Sequence, residues 1–388
     1  MKDKLVFGCL LISSLALTGC FTVKNDSNSD FSFEKDSPLI FSEFHRGYSS
    51  QERAIEIYNK GSSEINLGDY SVSIYKQNQK QAYKTIKLSG SLNANETYVL
   101  VHDAASESLK AKANLITELM VDGTWPISLN HKDKVVDVLG KIGYQHDYCT
   151  YADMARKKEF LVGRNELNEY DWIKYDADNV DLLGTIDVTM SEEELLQGQR
   201  LTEEDFARPF VENGSGGGGA IKVRLAYTGD GDTTNFYLDN KDIKDDLSSR
   251  EIIRYLGINT PEIQHGTSID AQPWGYAAKK FNNQVINNAK SFAIQTSKGG
   301  SYRDAYGRLL GYVWYSNLSN PSPSDYMCLN FEMVREAYAF TYFDEVTNNR
   351  YTMFYKSVAY TNIMRNAELR AKNNGWKIHG ETDPDFHY

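Results

Sequence analysis

Between Leu39 and about Thr185, apolar and polar residues alternate in short runs. Ala54-Ile55-Glu56-Ile57-Tyr58, Tyr70-Ser71-Val72-Ser73-Ile74-Tyr75 and Thr97-Tyr98-Val99-Leu100-Val101 show the pattern, and Lys134-Val135-Val136-Asp137-Val138-Leu139 is a further strand candidate. A repeat of two sends successive side chains to opposite faces of a pleated sheet, so each run predicts a strand with one buried face. Asn59-Lys60-Gly61, Ser89-Gly90, Asn93-Ala94-Asn95 and Asn130-His131-Lys132-Asp133 separate the runs and predict turns. Several short strands joined by polar turns predict a sandwich or barrel.

The pattern then changes. Ser191 to Glu204 places Glu, Leu and Asp at helical spacing, which predicts a short exposed helix or a disordered spacer. Gly214-Ser215-Gly216-Gly217-Gly218-Gly219 has almost no side chain to bury and predicts a flexible linker. Strand character returns at Ile221 to Tyr227, Glu251 to Ile258 and Leu309 to Trp314. No internal repeat is evident.

The N-terminus has a different character. Lys2 and Lys4 precede a mostly apolar run from Leu5 to Leu17, too short for a typical membrane span, so Met1 to Gly19 reads as a signal peptide. Leu17-Thr18-Gly19-Cys20 resembles the lipobox of bacterial lipoproteins. That resemblance implies lipidation of Cys20 and a place on the outer face of the cell membrane; the alternative is an ordinary secretory signal. Phe21 to Pro38, rich in Asn, Ser, Asp and Lys, predicts a solvated tether. The expected division is a signal peptide (1–19), a lipidated tether (20–38), a β-sandwich (39–187), a spacer with glycine-rich linker (188–219), a second domain (220–380) and a C-terminal tail (381–388).

Composition bounds this picture. At 388 residues, two or three domains fit, and 41% hydrophobic with 24% charged residues is that of a folded protein. A net charge of −11 argues against a protein that coats nucleic acid non-specifically. It leaves room for an enzyme with positive charge confined to a cleft. Cys9, Cys20, Cys149 and Cys328 have no zinc-like spacing; a Cys149–Cys328 bridge is the one disulfide considered. The seven histidines are scattered and read as structural or exposed, with His265 near a cleft rim as the exception considered.

At the level of motifs, Ile40-Phe41-Ser42-Glu43-Phe44, Ile55-Glu56-Ile57-Tyr58-Asn59, Leu67-Gly68-Asp69-Tyr70-Ser71-Val72 and Leu129-Asn130-His131-Lys132-Asp133-Lys134-Val135 follow one another in the order of a lamin-tail domain. Met154-Ala155-Arg156-Lys157 and Glu169-Tyr170-Asp171-Trp172 look like its closing segment. The resemblance implies an immunoglobulin-like sandwich, generally non-catalytic.

The chemistry-bearing residues lie further on. Asp230-Gly231-Asp232-Thr233 follows a strand, and two carboxylates around a glycine can aim oxygens into one space, as a hard cation requires. A plain Asp-Gly hairpin turn is the competing reading. Arg254 stands in a strand and precedes Asn259-Thr260-Pro261-Glu262, which offers further oxygens where proline stops the strand. Asp304-Ala305-Tyr306-Gly307-Arg308 is a turn that can aim a guanidinium at a phosphate. Together these make a phosphodiester site: an acidic metal locus, two arginines for the non-bridging oxygens and a glutamate for water.

Their order and spacing resemble the staphylococcal nuclease (thermonuclease) family. Trp274 to Phe281, Leu329 to Ala339 and Tyr360 to Lys372 match its three helices. The resemblance implies a five-stranded OB barrel with three helices that binds oligonucleotides. It also implies that Asp232 is a Ca²⁺ ligand with Asp230 supporting it, and that Thr260 contributes its carbonyl. Glu262 would be the general base or water-orienting group, Arg254 and Arg308 would bind the scissile phosphate, and Tyr306 a terminal phosphate. One position departs: Asn259 stands where the family has its second metal-binding aspartate, which removes a charge and predicts weaker Ca²⁺ binding. Phe340-Thr341-Tyr342-Phe343 could stack bases or pack in the core. The expected protein is a mainly β, multidomain, membrane-anchored monomeric nuclease acting on DNA or RNA with Ca²⁺. The alternatives are a catalytically weak or inactive nucleic-acid-binding surface lipoprotein, and an adhesin or scaffold with an accessory nuclease domain.

Overall fold

A computed structural model describes residues 31–386 apart from 151, 178, 187–189, 239–246, 248, 265, 267–269 and 343–352. Cys20, the signal peptide, most of the tether, His265, Phe343 and most of the acidic stretch after residue 238 lie outside the described residues.

The alternating runs become strands where their period predicts. One sheet contains, in spatial order, Trp172–Asp176, Ala152–Arg156, Leu39–Arg46, Arg53–Asn59, Thr97–His102 and Leu115–Thr117. The facing sheet is built from Lys134–Leu139, Ile127–His131, Tyr70–Tyr75 and Ala82–Lys87. Phe41, Phe44, Ile55, Ile57, Val72, Ile74 and Leu129 fill the space between them. Phe41 and Phe44 are three apart and could not share a face of a regular strand. A register shift between Phe41 and Glu43 supplies the bulge that lets both face inward. This is an immunoglobulin-like sandwich, as expected.

The outer face of the larger sheet is buried as well. Glu43, His45, Glu56 and Asp153 are each at most 1% exposed. Residues after Trp172–Asp176 cover them and supply donors: Gly184 N to Glu56 at 2.6 Å and Asn179 N to Asp153 at 2.8 Å. Ser42 donates to Glu56 at 2.7 Å.

The second half is a barrel. Arg250–Tyr255, Thr233–Tyr237, Ala220–Thr228, Ser291–Gln295 and Leu309–Ser316 pair in that order. A parallel pairing of Ile253 with Leu309 closes the ring. Helices Gly275–Asn288, Leu329–Arg335 and Tyr360–Asn374 pack against it at the three expected places. The last ends at Gly375 (φ 65°), a left-handed cap glycine tolerates freely.

Three expectations are corrected. The glycine run is not a loose linker. Gly216 N donates to Gly300 O at 2.9 Å, Gly217 N to Phe210 O at 3.0 Å and Gly219 N to Pro209 O at 3.0 Å. A Cβ on Gly216, Gly217 or Gly219 would lie 2.1–2.2 Å from a backbone oxygen. These residues lack side chains because backbone packs on backbone there. Of the two readings of the spacer the helical one holds, but not as a single exposed helix: Glu192–Gln197 and Glu203–Ala207 each start with a capping box, on Ser191 and Thr202. Met190, Leu195, Leu201 and Phe210 enter the barrel-side core. The ends of the tether and tail are also engaged. Glu34 N donates to Val135 O at 2.8 Å, and Asp383 accepts from Trp274 N at 2.5 Å.

The two halves share one apolar core: Ala155, Ile173 and Tyr175 of the sandwich belong to the same cluster as Val313, Ile363 and Met364. Cys149 and Cys328 are free thiols buried in different cores, so the disulfide considered is not formed.

Candidate active site

The Asp230-Gly231-Asp232 turn leaves the strand Ala220–Thr228 and enters Thr233–Tyr237. Its shape is set from two sides. Asn282, within the Gly275–Asn288 helix, donates to Asp230 O at 2.7 Å, and Tyr255 N donates to Asp232 O at 2.9 Å. Gly231 is required because a Cβ would meet Thr260 Oγ1 at 2.6 Å. The Asp232 carboxylate is buried and accepts from Thr260 N at 3.0 Å.

Arg254 reaches the same point from the neighbouring strand. Thr233 and Arg254 are register partners, which brings the arginine beside the turn. Its Nη1 lies 3.0 Å from Asp232 Oδ2 and donates to Ile258 O at 2.9 Å, while Nη2 donates to Asn259 Oδ1 at 2.8 Å. Arg254, Asp232, Asn259 and Thr260, separated by up to 28 positions in sequence, therefore form one cluster. Burial raises the Asp232 carboxyl above the usual carboxylate range and Asp230 adds to the rise, against the opposing pull of Arg254 and Thr260.

Arg308 ends the turn that leads into the adjoining parallel strand, Leu309–Ser316. The pairings of Ile253 with Leu309 and of Arg254 with Leu310 bring the strand that carries Arg254 to the turn that ends in Arg308. Asp304 organises the turn that carries it, accepting from Tyr306 N at 2.9 Å, Arg308 N at 2.9 Å and Arg308 Nε at 2.7 Å. Gly307 (φ 79°) takes the left-handed position this turn requires. Tyr306 is 85% exposed, with the Arg308 guanidinium 5.5 Å from its ring centre.

Glu262 follows Pro261 in the loop after Asn259. Gln272 holds that loop in both directions: Glu262 N donates to Gln272 Oε1 at 2.9 Å, and Gln272 N donates to Glu262 O at 2.9 Å. Gly275 lets the helix start pass close by, since a Cβ there would meet Glu262 O at 2.3 Å. Of the aromatic run after the second helix, Phe340 is 38% and Tyr342 42% exposed, and Phe340 pairs with Asn259. They belong to the surface beside the site rather than to the core.

The side-chain oxygens gathered here, those of Asp232, of Asp230 in the same turn and of Asn259, have the chemistry a hard cation takes, although Asp232 Oδ2 already faces Arg254 and the Thr260 amide. A carboxylate pushed upward by burial is a group that a cation would stabilise. No group of three or more His, Cys, Asp or Glu side chains suited to a metal occurs among the described residues, so a cation here would lean on neutral oxygens. The Asn259 oxygen is already used by Arg254. Sequence reasoning missed the buried chain Thr234–Tyr255–Asn282, in which Tyr255 Oη lies 2.8 Å from Thr234 Oγ1 and donates to Asn282 Oδ1 at 2.9 Å. An asparagine on the buried side of a helix was the one signal for it.

Comparison with known proteins bears on the two domain types. Residues 252–376 match the family described as Staphylococcal nuclease homologue, and residues 33–143 match the Lamin Tail Domain. The first span contains Arg254, Asn259, Thr260, Glu262, Tyr306 and Arg308; Asp230 and Asp232 precede it. The chain is 34% identical over 99 residues to "Endonuclease YncB" of Bacillus subtilis (strain 168), covering 26% of this chain and 42% of that protein. It is 33% identical over 86 residues to "Thermonuclease" of Staphylococcus intermedius, covering 22% of this chain and 44% of that protein. It is also 27% identical over 191 residues to "Endonuclease YhcR" of Bacillus subtilis (strain 168), covering 48% of this chain and 13% of that protein. The chain thus spans less than half the length of each of these relatives.

Proposed function

We propose that this chain, which carries a staphylococcal-nuclease-type domain and a lamin-tail-type domain, is a nuclease that hydrolyses phosphodiester bonds of DNA or RNA with Ca²⁺, anchored to the outer face of a membrane through Cys20. The observation that carries the reading is the cluster in which Arg254 is held beside Asp232 and Asn259, with Arg308 at the start of the neighbouring parallel strand. Two guanidinium groups, one on a strand and one at the start of its parallel neighbour, suit the non-bridging oxygens of a phosphate, which they would hold more tightly as charge builds in the transition state. Glu262 would orient or deprotonate the attacking water. Tyr306, exposed on the Arg308 turn, meets a terminal phosphate, and Phe340 and Tyr342 offer exposed faces on which bases stack. Asp232, Asn259 and Thr260 would hold Ca²⁺, with Asp230 supporting; the ion supplies charge that neutralises the phosphate.

The test is hydrolysis of denatured DNA and of RNA by the soluble chain beginning at Phe21, with Ca²⁺ and with a chelator. Cleavage that needs Ca²⁺ and falls by about 100-fold or more in Arg308→Ala and Glu262→Ala is the expected result. A folded chain that binds but does not cut at millimolar Ca²⁺ would reduce the reading to a nucleic-acid-binding barrel.

A further inference from the structure

Among the contacts between the lamin-tail-type half and the barrel half, one hairpin leads towards the site. Hairpin Phe354–Tyr355/Val358–Ala359 docks on the edge of the sandwich, with Val358 pairing with Tyr175 and Asp176 N donating to Ser357 O at 3.3 Å. The turn residues Lys356 (φ 50°) and Ser357 (φ 65°) are both left-handed without being glycine, a conformation that needs outside support. Lys356 also ion-pairs with Glu194 of the segment between the halves.

The hairpin runs directly into the Tyr360–Asn374 helix, whose first turns are held by the sandwich. Asn362 Nδ2 donates to Lys174 O at 3.2 Å, and Arg365 lies 2.9 Å from Glu169. Two turns on, the buried Glu368 accepts from Thr341 N at 3.2 Å and from the Thr341 hydroxyl. Thr341 pairs with Ile258, and Phe340 with Asn259, whose side chain fixes Arg254.

From this continuous set of contacts we propose that the lamin-tail-type domain positions the nuclease site. Glu169 and the Trp172–Asp176 strand hold the last helix, and Glu368 of that helix sets the strand pair bearing Asn259 and Phe340. Glu169, Asn362, Glu368 and Thr341 are positioning residues, none of which needs to touch substrate. The name of the site rests on the nuclease reading; the contacts do not.

The experiment uses the chain beginning at Phe21, carrying Glu169→Ala with Asn362→Ala, and separately Thr341→Val, which removes a hydroxyl while keeping the shape. Amide hydrogen exchange in 338–342 and 256–261 is read beside the kinetics of oligonucleotide cleavage. Exchange about fivefold faster in these segments, with KM raised about fivefold and kcat within about twofold, is expected in both variants. Glu169→Asp with Asn362 intact should restore both. Loss of folded protein alone would lower the apparent kcat and leave KM unchanged. Unaltered exchange and KM in folded variants overturns the proposal, and should the double variant not fold, Thr341→Val decides. Absence of cleavage by the unsubstituted chain would remove the nuclease reading and leave the exchange data to judge positioning.

Discussion

Arg254 shows why a residue type, and not only its charge, is specified. Its two terminal nitrogens serve Asp232 and Asn259 separately, a fork that an ammonium cannot reproduce. Arg254→Lys should lower kcat/KM by about 100-fold or more, measured with saturating Ca²⁺, while leaving the thermal midpoint within a few degrees. Asn259→Asp restores a charge at the oxygen cluster, so the half-saturating Ca²⁺ concentration should drop several-fold in a titration of activity. A rise instead would show that Asn259 serves mainly to orient Arg254. These residues were legible because short motifs keep their spacing in sequence. Tyr255, Asn282 and Thr234 were not, because a buried hydrogen-bond chain leaves no periodic mark.

Also at this scale, burial raises Glu56 from an ordinary 4.5 to about 7, and Glu43 moves the same way. A carboxyl with a raised folded-state pKa favours folding in its protonated form. The stabilisation is complete below about pH 4.5 and is lost as pH rises through 7, a change of roughly 3 kcal/mol for Glu56. Glu56→Gln should therefore flatten the dependence of unfolding on pH between 5 and 8, as read by denaturant titration at each pH. An unchanged slope would mean that Glu56 stays ionised in the folded chain.

Among the elements, those with strict periodicity were readable and those defined by close approach were not. Tyr70–Tyr75 and Lys134–Leu139 fall where alternation places them. The glycine run was misread because a flexible linker and a backbone-packed strand have the same composition. Only the neighbours distinguish them, and Pro209, Phe210 and Ser297 are the neighbours here. Gly217→Ala should destabilise the chain by about 1–3 kcal/mol, since its Cβ would sit 2.1 Å from Pro209 O. A true linker would tolerate the change within about 0.5 kcal/mol, so chemical denaturation separates the cases. The spacer helices were half legible: their leucines announced a helix, but the burial of Leu195 and Leu201 depends on a barrel surface that only the fold supplies.

For the whole molecule, a shared core makes the halves interdependent. Residues 155–210 contribute Tyr175, Leu182, Met190, Leu195 and Leu201 to the cluster that packs under the barrel. A fragment from Ala220 to Tyr388 exposes the other side of that cluster. It should unfold at least about 10 °C below the chain beginning at Phe21, which should itself melt in a single transition. Two separate transitions for the longer chain, or equal midpoints for both, would contradict the shared core. The domain types were evident from motifs, whereas their fusion was not, because the joining contacts are spread over isolated residues such as Tyr175 and Val358.

With the anchor proposed at Cys20, the packing of residues 216–219 also bears on release of the chain from a membrane. Proteases bind substrates as extended, unpaired backbone, and a run of six glycine and serine residues is where a sheddase cut between two domains would be sought. Here the amides of Gly216, Gly217 and Gly219 are already bonded to carbonyls of the chain itself. A protease would first have to pull the segment out of the barrel, and a single cut would leave the two pieces clasped by their common core. If Cys20 anchors the chain as proposed, a released form is expected to arise by severing it ahead of the sandwich, so that both halves leave together.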